Sequence, residues 1–226
     1  MNNERLRALK EIVGETIFSM DVDLVVAGTA YPVIEKFNKD FGTDYPVGAV
    51  DNWFAVKKLA VKHGMNEQDA SAYDNWIWTD AEILSRAPVM PGAAAFIQRL
   101  TRNGIEHFFI TSRLPSLKET TLGWFRENLP GVDLARVCTN QDSEVRGKDF
   151  KWQTVARLGI GVHIDDDALH SRLVLENTPA SVWLLSNSKE ADALGSPRLV
   201  RFKHPQRLPN LKDVHKYLLF SVAQSY

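Results

Sequence analysis

Short apolar runs alternate along this chain with longer stretches in which apolar residues recur every three or four positions. The runs are Ile17 to Met20, His107-Phe108-Phe109-Ile110, Gly161-Val162-His163-Ile164, Val182-Trp183-Leu184-Leu185 and Leu199-Val200-Arg201-Phe202, with a weaker one over Leu134 to Thr139. Brief apolar runs bounded by turn residues predict buried strands. The longer periodicity predicts helices over Tyr31 to Asp40 and over Ala93 to Arg102, the second stopped by Asn103-Gly104. Further helices are expected from near Ser116 (Leu117, Thr121, Trp124, Phe125), from Lys151 to a stop at Gly159, and over Leu211 to Phe220. Ser116 and Glu119 have the spacing of a capping box. A short amphipathic helix, Arg5 to about Gly14, is expected before the first strand. Strands alternating with helices at these intervals argue an α/β fold with a Rossmann-like parallel sheet flanked by helices.

Between Phe41 and Ala87 the strand pattern stops. Val56-Lys57-Lys58-Leu59-Ala60-Val61-Lys62 is helical in period, with lysines on one face. Trp53, Phe54, Tyr73, Trp76 and Trp78 cluster here, and we read them as the core of a small bundle. The expected organisation is an α/β core made of residues 1–29 and 88–226, with a helical insert over 30–87.

Composition adds limits. The chain has 226 residues, 44% of them hydrophobic, enough for one large domain with an insert. A net charge of -1 argues against a dedicated nucleic-acid binder, and the basic stretch Arg198, Arg201, Lys203, His204 and Arg207 reads as solvated surface. The single cysteine, Cys138, rules out an internal disulfide and fits a reducing compartment. No apolar run reaches membrane-spanning length, and the charged N-terminus is not followed by a signal-peptide core. The expectation is a cytoplasmic protein with no membrane partner. The six histidines show no zinc-site spacing, and none is assigned to a metal.

The candidate chemistry gathers at strand ends. The first strand runs into Asp21-Val22-Asp23, and alternation points both carboxylates the same way. The second ends in Thr111-Ser112-Arg113, where two hydroxyls and a guanidinium can all donate to an anion. Lys151 opens a helix, with Lys148 just before it, and the next strand ends in Asp165-Asp166-Asp167. In a parallel sheet these ends share one edge, where ligands bind. The set suits phosphoryl transfer. One carboxylate attacks phosphorus and a second carboxylic acid protonates the leaving oxygen. A hard cation such as Mg²⁺ neutralises phosphate charge, while a lysine and a hydroxyl hold the other oxygens.

On these motifs the chain resembles the haloacid dehalogenase-like (HAD) superfamily of phosphatases, and within it the 5'(3')-deoxyribonucleotidase group and its bacterial relatives. Asp21-Val22-Asp23, Thr111 after Phe108-Phe109-Ile110, Lys151 before a helix, and Ile164-Asp165-Asp166 follow the family's order, as does Val89-Met90-Pro91-Gly92-Ala93. The resemblance implies that Asp21 is the nucleophile and Asp23 the general acid/base. Thr111 would bind the phosphoryl group, with Ser112 and Arg113 beside it, and Lys151 would stabilise that group and the nucleophile. Asp21, the Asp23 carbonyl and Asp165 would hold Mg²⁺, supported by Asp166. Residues 30–87 would be a cap that selects a small phosphorylated substrate, such as a nucleotide. The family has glycine after the second aspartate where this chain has Leu24. The alternative is therefore a weak or inactive relative that keeps the fold and binds phosphate, Mg²⁺ or a partner.

Overall fold

The computed structural model describes residues 16–50, 54–142, 144–204 and 209–214. Its centre is a six-stranded sheet, all parallel, in the order β3-β2-β1-β4-β5-β6. The strands are β1 (Phe18–Asp21), β2 (His107–Thr111), β3 (Val137–Thr139), β4 (Val162–Asp165), β5 (Ser181–Leu185) and β6 (Leu199–Phe202). The chain builds outward from β1 on one side, then crosses to β4 on the other. The seam between β1 and β4 is therefore the switch point of a doubly wound sheet, where a crevice opens beyond the strand ends.

Alternation within each strand sorts its side chains between the two faces. Phe18 and Met20 of β1, Phe109 of β2 and Ile164 of β4 enter one apolar cluster. Helices α5 (Ala93–Arg102) and α6 (Lys118–Asn128) cover it through Phe96, Ile97, Leu100, Trp124 and Phe125. On the other face, Ile110, Val182 and Leu184 meet Val155 of α7 (Gly147–Arg157) and Val174 and Leu175 of α8 (Ala168–Asn177). Strands covered on both sides read as nearly continuous apolar runs, which is why they were visible in the sequence. Ser19 and His163 interrupt β1 and β4, and both are fully buried.

Between β1 and β2 lie α1 (Ala30–Phe41), α2 (Ala55–Lys62), α3 (Glu67–Ile77) and α4 (Ala81–Ser85). They have an apolar cluster of their own, built on Val33, Ile34, Phe37, Val56 and Ile77. The aromatic residues of this region divide. Tyr73 packs edge-on against Phe41, at a centroid distance of 5.5 Å, and Trp78 lies against the same cluster. Phe54 is 65% exposed and Trp76 41%, so the expected all-core reading does not hold for them. Trp53 lies outside the described residues. The chain leaves the sheet and returns to it at neighbouring points. The Gly28 N–H donates to the Pro88 carbonyl (2.7 Å) and the Met90 N–H to the Val26 carbonyl (2.8 Å).

Other local expectations need correction. Ser116 caps nothing: it lies inside a 3-10 turn, Pro115–Leu117, and α6 begins only at Lys118, with no side-chain cap. Proline at the start of that turn sets its geometry before Ser116 can act. Lys151 does not open its helix, which starts at Gly147. The Leu134 to Thr139 segment is a strand only from Val137, after a 3-10 turn. Residues 211–214 are helical; the rest of the expected closing helix, and the helix expected over Arg5 to Gly14, lie outside the described residues. No described helix is long and apolar enough to cross a membrane.

Candidate active site

The β1 terminus sets the first carboxylate. Asp21 is the last residue of the strand, and its Oδ1 accepts the Val22 N–H at 2.7 Å. After Asp23 the chain turns back, with the Leu24 N–H donating to the Ala27 carbonyl at 2.8 Å. Leu24 takes φ 59°, the one left-handed non-glycine residue among those described. A side chain there costs about 1–2 kcal/mol, because Cβ crowds the following carbonyl. Leu24 packs against the helical cluster and lines the crevice, which offsets part of that cost. A specific ordering follows: Leu24→Gly should be more stable than Leu24→Ala by about 1 kcal/mol in urea unfolding. Both lose the packing, but only glycine relieves the turn. The opposite order, the usual one elsewhere, would contradict a strained turn.

Lys151 comes from the second turn of α7 and is fully buried. Its Nζ lies 2.8 Å from Asp21 Oδ2 and 2.9 Å from Asp165 Oδ2 at the end of β4. Asp165 Oδ2 also meets His163 Nε2 at 2.9 Å, and His163 Nδ1 meets the Ser19 hydroxyl at 2.8 Å. Burial holds the His163 imidazole below its ordinary pKa, hence neutral. In that state it donates one N–H to Asp165 and accepts from Ser19. The two polar interruptions of the apolar strands thus form a relay beneath the site. A signal for it was present in the sequence: His163 and Asp165 are two apart on a strand, and so share a face. Lys148, in the first turn of α7, is half-exposed and makes none of these contacts.

The three consecutive aspartates have three different settings. Asp165 Oδ1 accepts the Asp167 N–H at 3.0 Å. Asp167 caps α8 by accepting the His170 N–H at 2.7 Å, an N-cap role that short acidic side chains favour. Asp166 faces the crevice with a buried Oδ1 that has no hydrogen-bond partner. Burial pushes the Asp21 carboxyl up to about 8, against the pull of Lys151 and with the push of Asp165. Burial raises Asp166 as well, helped by Asp165 and Asp21. Burial would raise Asp165 too, but Lys151 and the His163 hydrogen bond hold it well below the usual carboxylate range. One buried ammonium serves three carboxylates, and Asp21 and Asp166, whose pKa values are raised, would ionise together only beside a further cation.

Asp21 and Asp165 each bring an oxygen, and His170 a ring nitrogen, within 4.8 Å of one another, a spacing that could hold a metal ion. His170 was excluded by sequence spacing alone; it joins the group because Asp167 starts α8 beside the site. Burial, then Lys151, lowers its pKa to about 4, which leaves it neutral and able to ligate.

Thr111 ends β2, is fully buried, and its Oγ1 accepts the Arg113 N–H at 3.2 Å. Ser112 lines the crevice. A Cβ on Gly147 would lie 2.7 Å from the Ser112 Cβ and 2.9 Å from its carbonyl oxygen, so only glycine lets the start of α7 come this close. Arg113 is placed otherwise than expected. Its Nε lies 3.2 and 3.1 Å from the two oxygens of Asp23, its Nη2 2.7 Å from Asp23 Oδ1, and its Nη1 3.1 Å from Thr121 Oγ1. It is spent on these partners within the protein.

Beyond these groups lies a crevice of about 510 Å³. Asp23, Ser112, Asp166 and His170 line its floor, and Phe54 and Trp78 come from the helical segment. The described part of the basic stretch near the C-terminus makes contacts within the protein. Arg198 donates to the Thr178 and Ala180 carbonyls (2.7 Å each), and Arg201 and Lys203 both pair with Asp192. Arg207 lies outside the described residues.

No family model and no curated protein sequence matches the chain. Solved structures do. A protein from Bacteroides fragilis named as a haloacid dehalogenase-like hydrolase has a TM-score of 0.58 at 12% identity, over 84% of this chain and 98% of its own. A protein from Clostridium acetobutylicum named as a phosphatase has the same score at 14% identity, over 91% and 98%. A HAD family hydrolase from Deinococcus radiodurans, with bound phosphate and sodium, scores 0.56 at 16% identity, over 83% and 91%. At these identities the likeness is one of fold: a HAD-like α/β core.

Proposed function

We propose that this protein is a Mg²⁺-dependent phosphomonoesterase that works through an aspartyl-phosphate on Asp21. One observation carries the reading: Asp21, Lys151 and Asp165 meet in hydrogen-bond contact at the β1–β4 switch point. The residues present fit a hard divalent cation. They supply carboxylate oxygens, two of them on buried groups that burial holds protonated until a cation replaces the proton, and in Asp166 Oδ1 an unpartnered oxygen. Asp21 and Asp165 would hold the ion, with Asp166 or His170 beside them. When bound, it neutralises charge on the phosphoryl oxygens and favours ionised Asp21.

The chain's own groups supply the rest. Asp21 attacks phosphorus, and the bond from phosphorus to the ester oxygen breaks. Asp23 gives its proton to the departing alkoxide. Water then attacks the aspartyl-phosphate, its proton returns to Asp23, and the Asp21–phosphorus bond breaks to release inorganic phosphate. Lys151 holds Asp21 in place, and Thr111 and Ser112 donate to the phosphoryl oxygens.

In this reading residues 1–29 and 88–226 are the core and residues 30–87 the cap. The separate apolar cluster of the helices supports that division, and so does the placement of Phe54 and Trp78 on the crevice wall. Two aromatic rings among the apolar side chains of the crevice wall favour a leaving group with a flat ring, such as a nucleoside. A cytoplasmic location goes with such a substrate. Leu24 reaches the left-handed turn without glycine, so its presence does not favour an inactive relative.

The test is a phosphate-release screen over nucleoside monophosphates, sugar phosphates and phosphoglycolate. We expect release with Mg²⁺, loss on chelation, and recovery when Mg²⁺ is restored. Release that is indifferent to chelator removes the cation from the reading. No release from any substrate removes the enzyme.

A further inference from the structure

Arg113 is nine-tenths buried and carries one of the few cations near the reaction centre. An arginine meant for phosphate would present its fork to the crevice. This one turns the fork onto Asp23, whose side chain is itself 8% exposed. The pair is anchored behind: Nη1 reaches the Thr121 hydroxyl, which donates in turn to the Leu117 carbonyl at 2.8 Å. The chain of contacts thus runs from the first turns of α6 to the Asp23 carboxylate.

The two oxygens of that carboxylate are not equivalent. Oδ1 takes Nη2 at 2.7 Å and Nε at 3.2 Å, while Oδ2 has only the shared Nε at 3.1 Å. A fork contact of this kind fixes both rotation and tilt of the carboxylate. We infer that Arg113 is the positioning residue of the acid/base group: it anchors Asp23 Oδ1, so that the proton exchanged with the leaving group and with water travels on Oδ2. Phosphate binding then belongs to Thr111, Ser112 and Lys151. This inference rests on the phosphomonoesterase reading above.

Positioning a proton donor has a signature that phosphate binding lacks. An alkoxide departs poorly without a proton, whereas 2,4-dinitrophenolate departs without one. Arg113→Met should therefore lower kcat/KM, which reports only the steps up to aspartyl-phosphate formation, for a simple alkyl phosphate by about 100-fold, the ordinary contribution of a placed acid. The same variant should change kcat/KM for 2,4-dinitrophenyl phosphate by less than about threefold, since its leaving group needs no proton. Should Arg113→Met fail to fold, Arg113→Lys and Thr121→Val carry the test, and each should show a smaller loss that still discriminates between the two esters. Equal losses of kcat/KM on both esters would overturn the assignment, since a phosphate ligand or a purely structural residue acts on both alike. Asp21→Asn is the control. If it abolishes both activities while the Arg113 variants show no discrimination, the enzyme reading stands and this inference falls. If the parent protein releases phosphate from neither ester and from no substrate of the screen above, both fall.

Discussion

Asp21→Asn protein is expected to fold and to release no phosphate from any ester the parent hydrolyses. An amide cannot form the acyl-phosphate, and the loss of a nucleophile lowers turnover on the order of a thousandfold or more. Stability should not suffer. The side-chain oxygen of the introduced asparagine can still accept the Val22 N–H that Asp21 Oδ1 accepts now, and Lys151 keeps its bond to Asp165. The carboxylate being removed is one that burial already disfavours. The melting temperature should therefore equal or exceed that of the parent. Near-parent phosphate release by the folded variant would sink the nucleophile assignment.

Lys151→Met should do the reverse, harming fold and function together. The ammonium is completely buried between Asp21 and Asp165, and both carboxylates hold its pKa above the usual lysine range despite burial. Removing one partner of a buried ion pair costs about 3–5 kcal/mol, because the carboxylates left behind must stay charged without a counter-charge or take up a proton. Urea unfolding should show a loss of that size, and phosphate release should disappear with it. A Lys151→Met protein of parent stability would mean that Lys151 does not hold Asp165 ionised, and the site would need another account. The double variant Asp21→Asn, Lys151→Met should recover part of the lost stability, since an amide at position 21 needs neither a counter-charge nor a proton.

Much of this was readable from the residues, for identifiable reasons. Phe109-Ile110 and Val182 to Leu185 stood out because both faces of the sheet are covered. Asp21, Thr111 and Asp165 stood out because strand ends in a parallel sheet share an edge, and the structure brings these ends together. What stayed hidden had weak or competing signals. The α3 helix buries only Ala70 and Ile77, too few to show a period. The α8 helix exposes Leu169 by 49%, and its acidic entry drew attention to chemistry when Asp167 was serving as a cap. The start of α7 at Gly147 has no side-chain cap to mark it, so Lys151 looked like a beginning.

The pairing of Arg113 with Asp23 was the largest omission. The two are ninety positions apart, and composition cannot join them. Register can. Asp21 faces Ile110 across β1 and β2, so Asp23 and Arg113 leave adjacent strands at nearly equal offsets. Opposite charges at matched distances past neighbouring strand ends are a signal that can be read once the strand order is known. Without the order, Arg113 was only a cation near two hydroxyls.

The hydrogen bonds from Gly28 to Pro88 and from Met90 to Val26 have a consequence for inheritance. Seen from the sheet, everything between Gly28 and Pro88 is a hairpin connection whose two ends are already tied. Its length scarcely matters to the strands, because the entropy of closing a connection grows only slowly with the number of residues in it. Helices of another number or shape can be spliced between the same two ends without moving Asp21 relative to Asp165. The reacting groups and the wall that judges what reaches them are thus written in separate stretches of the chain, and a lineage is free to revise one while copying the other.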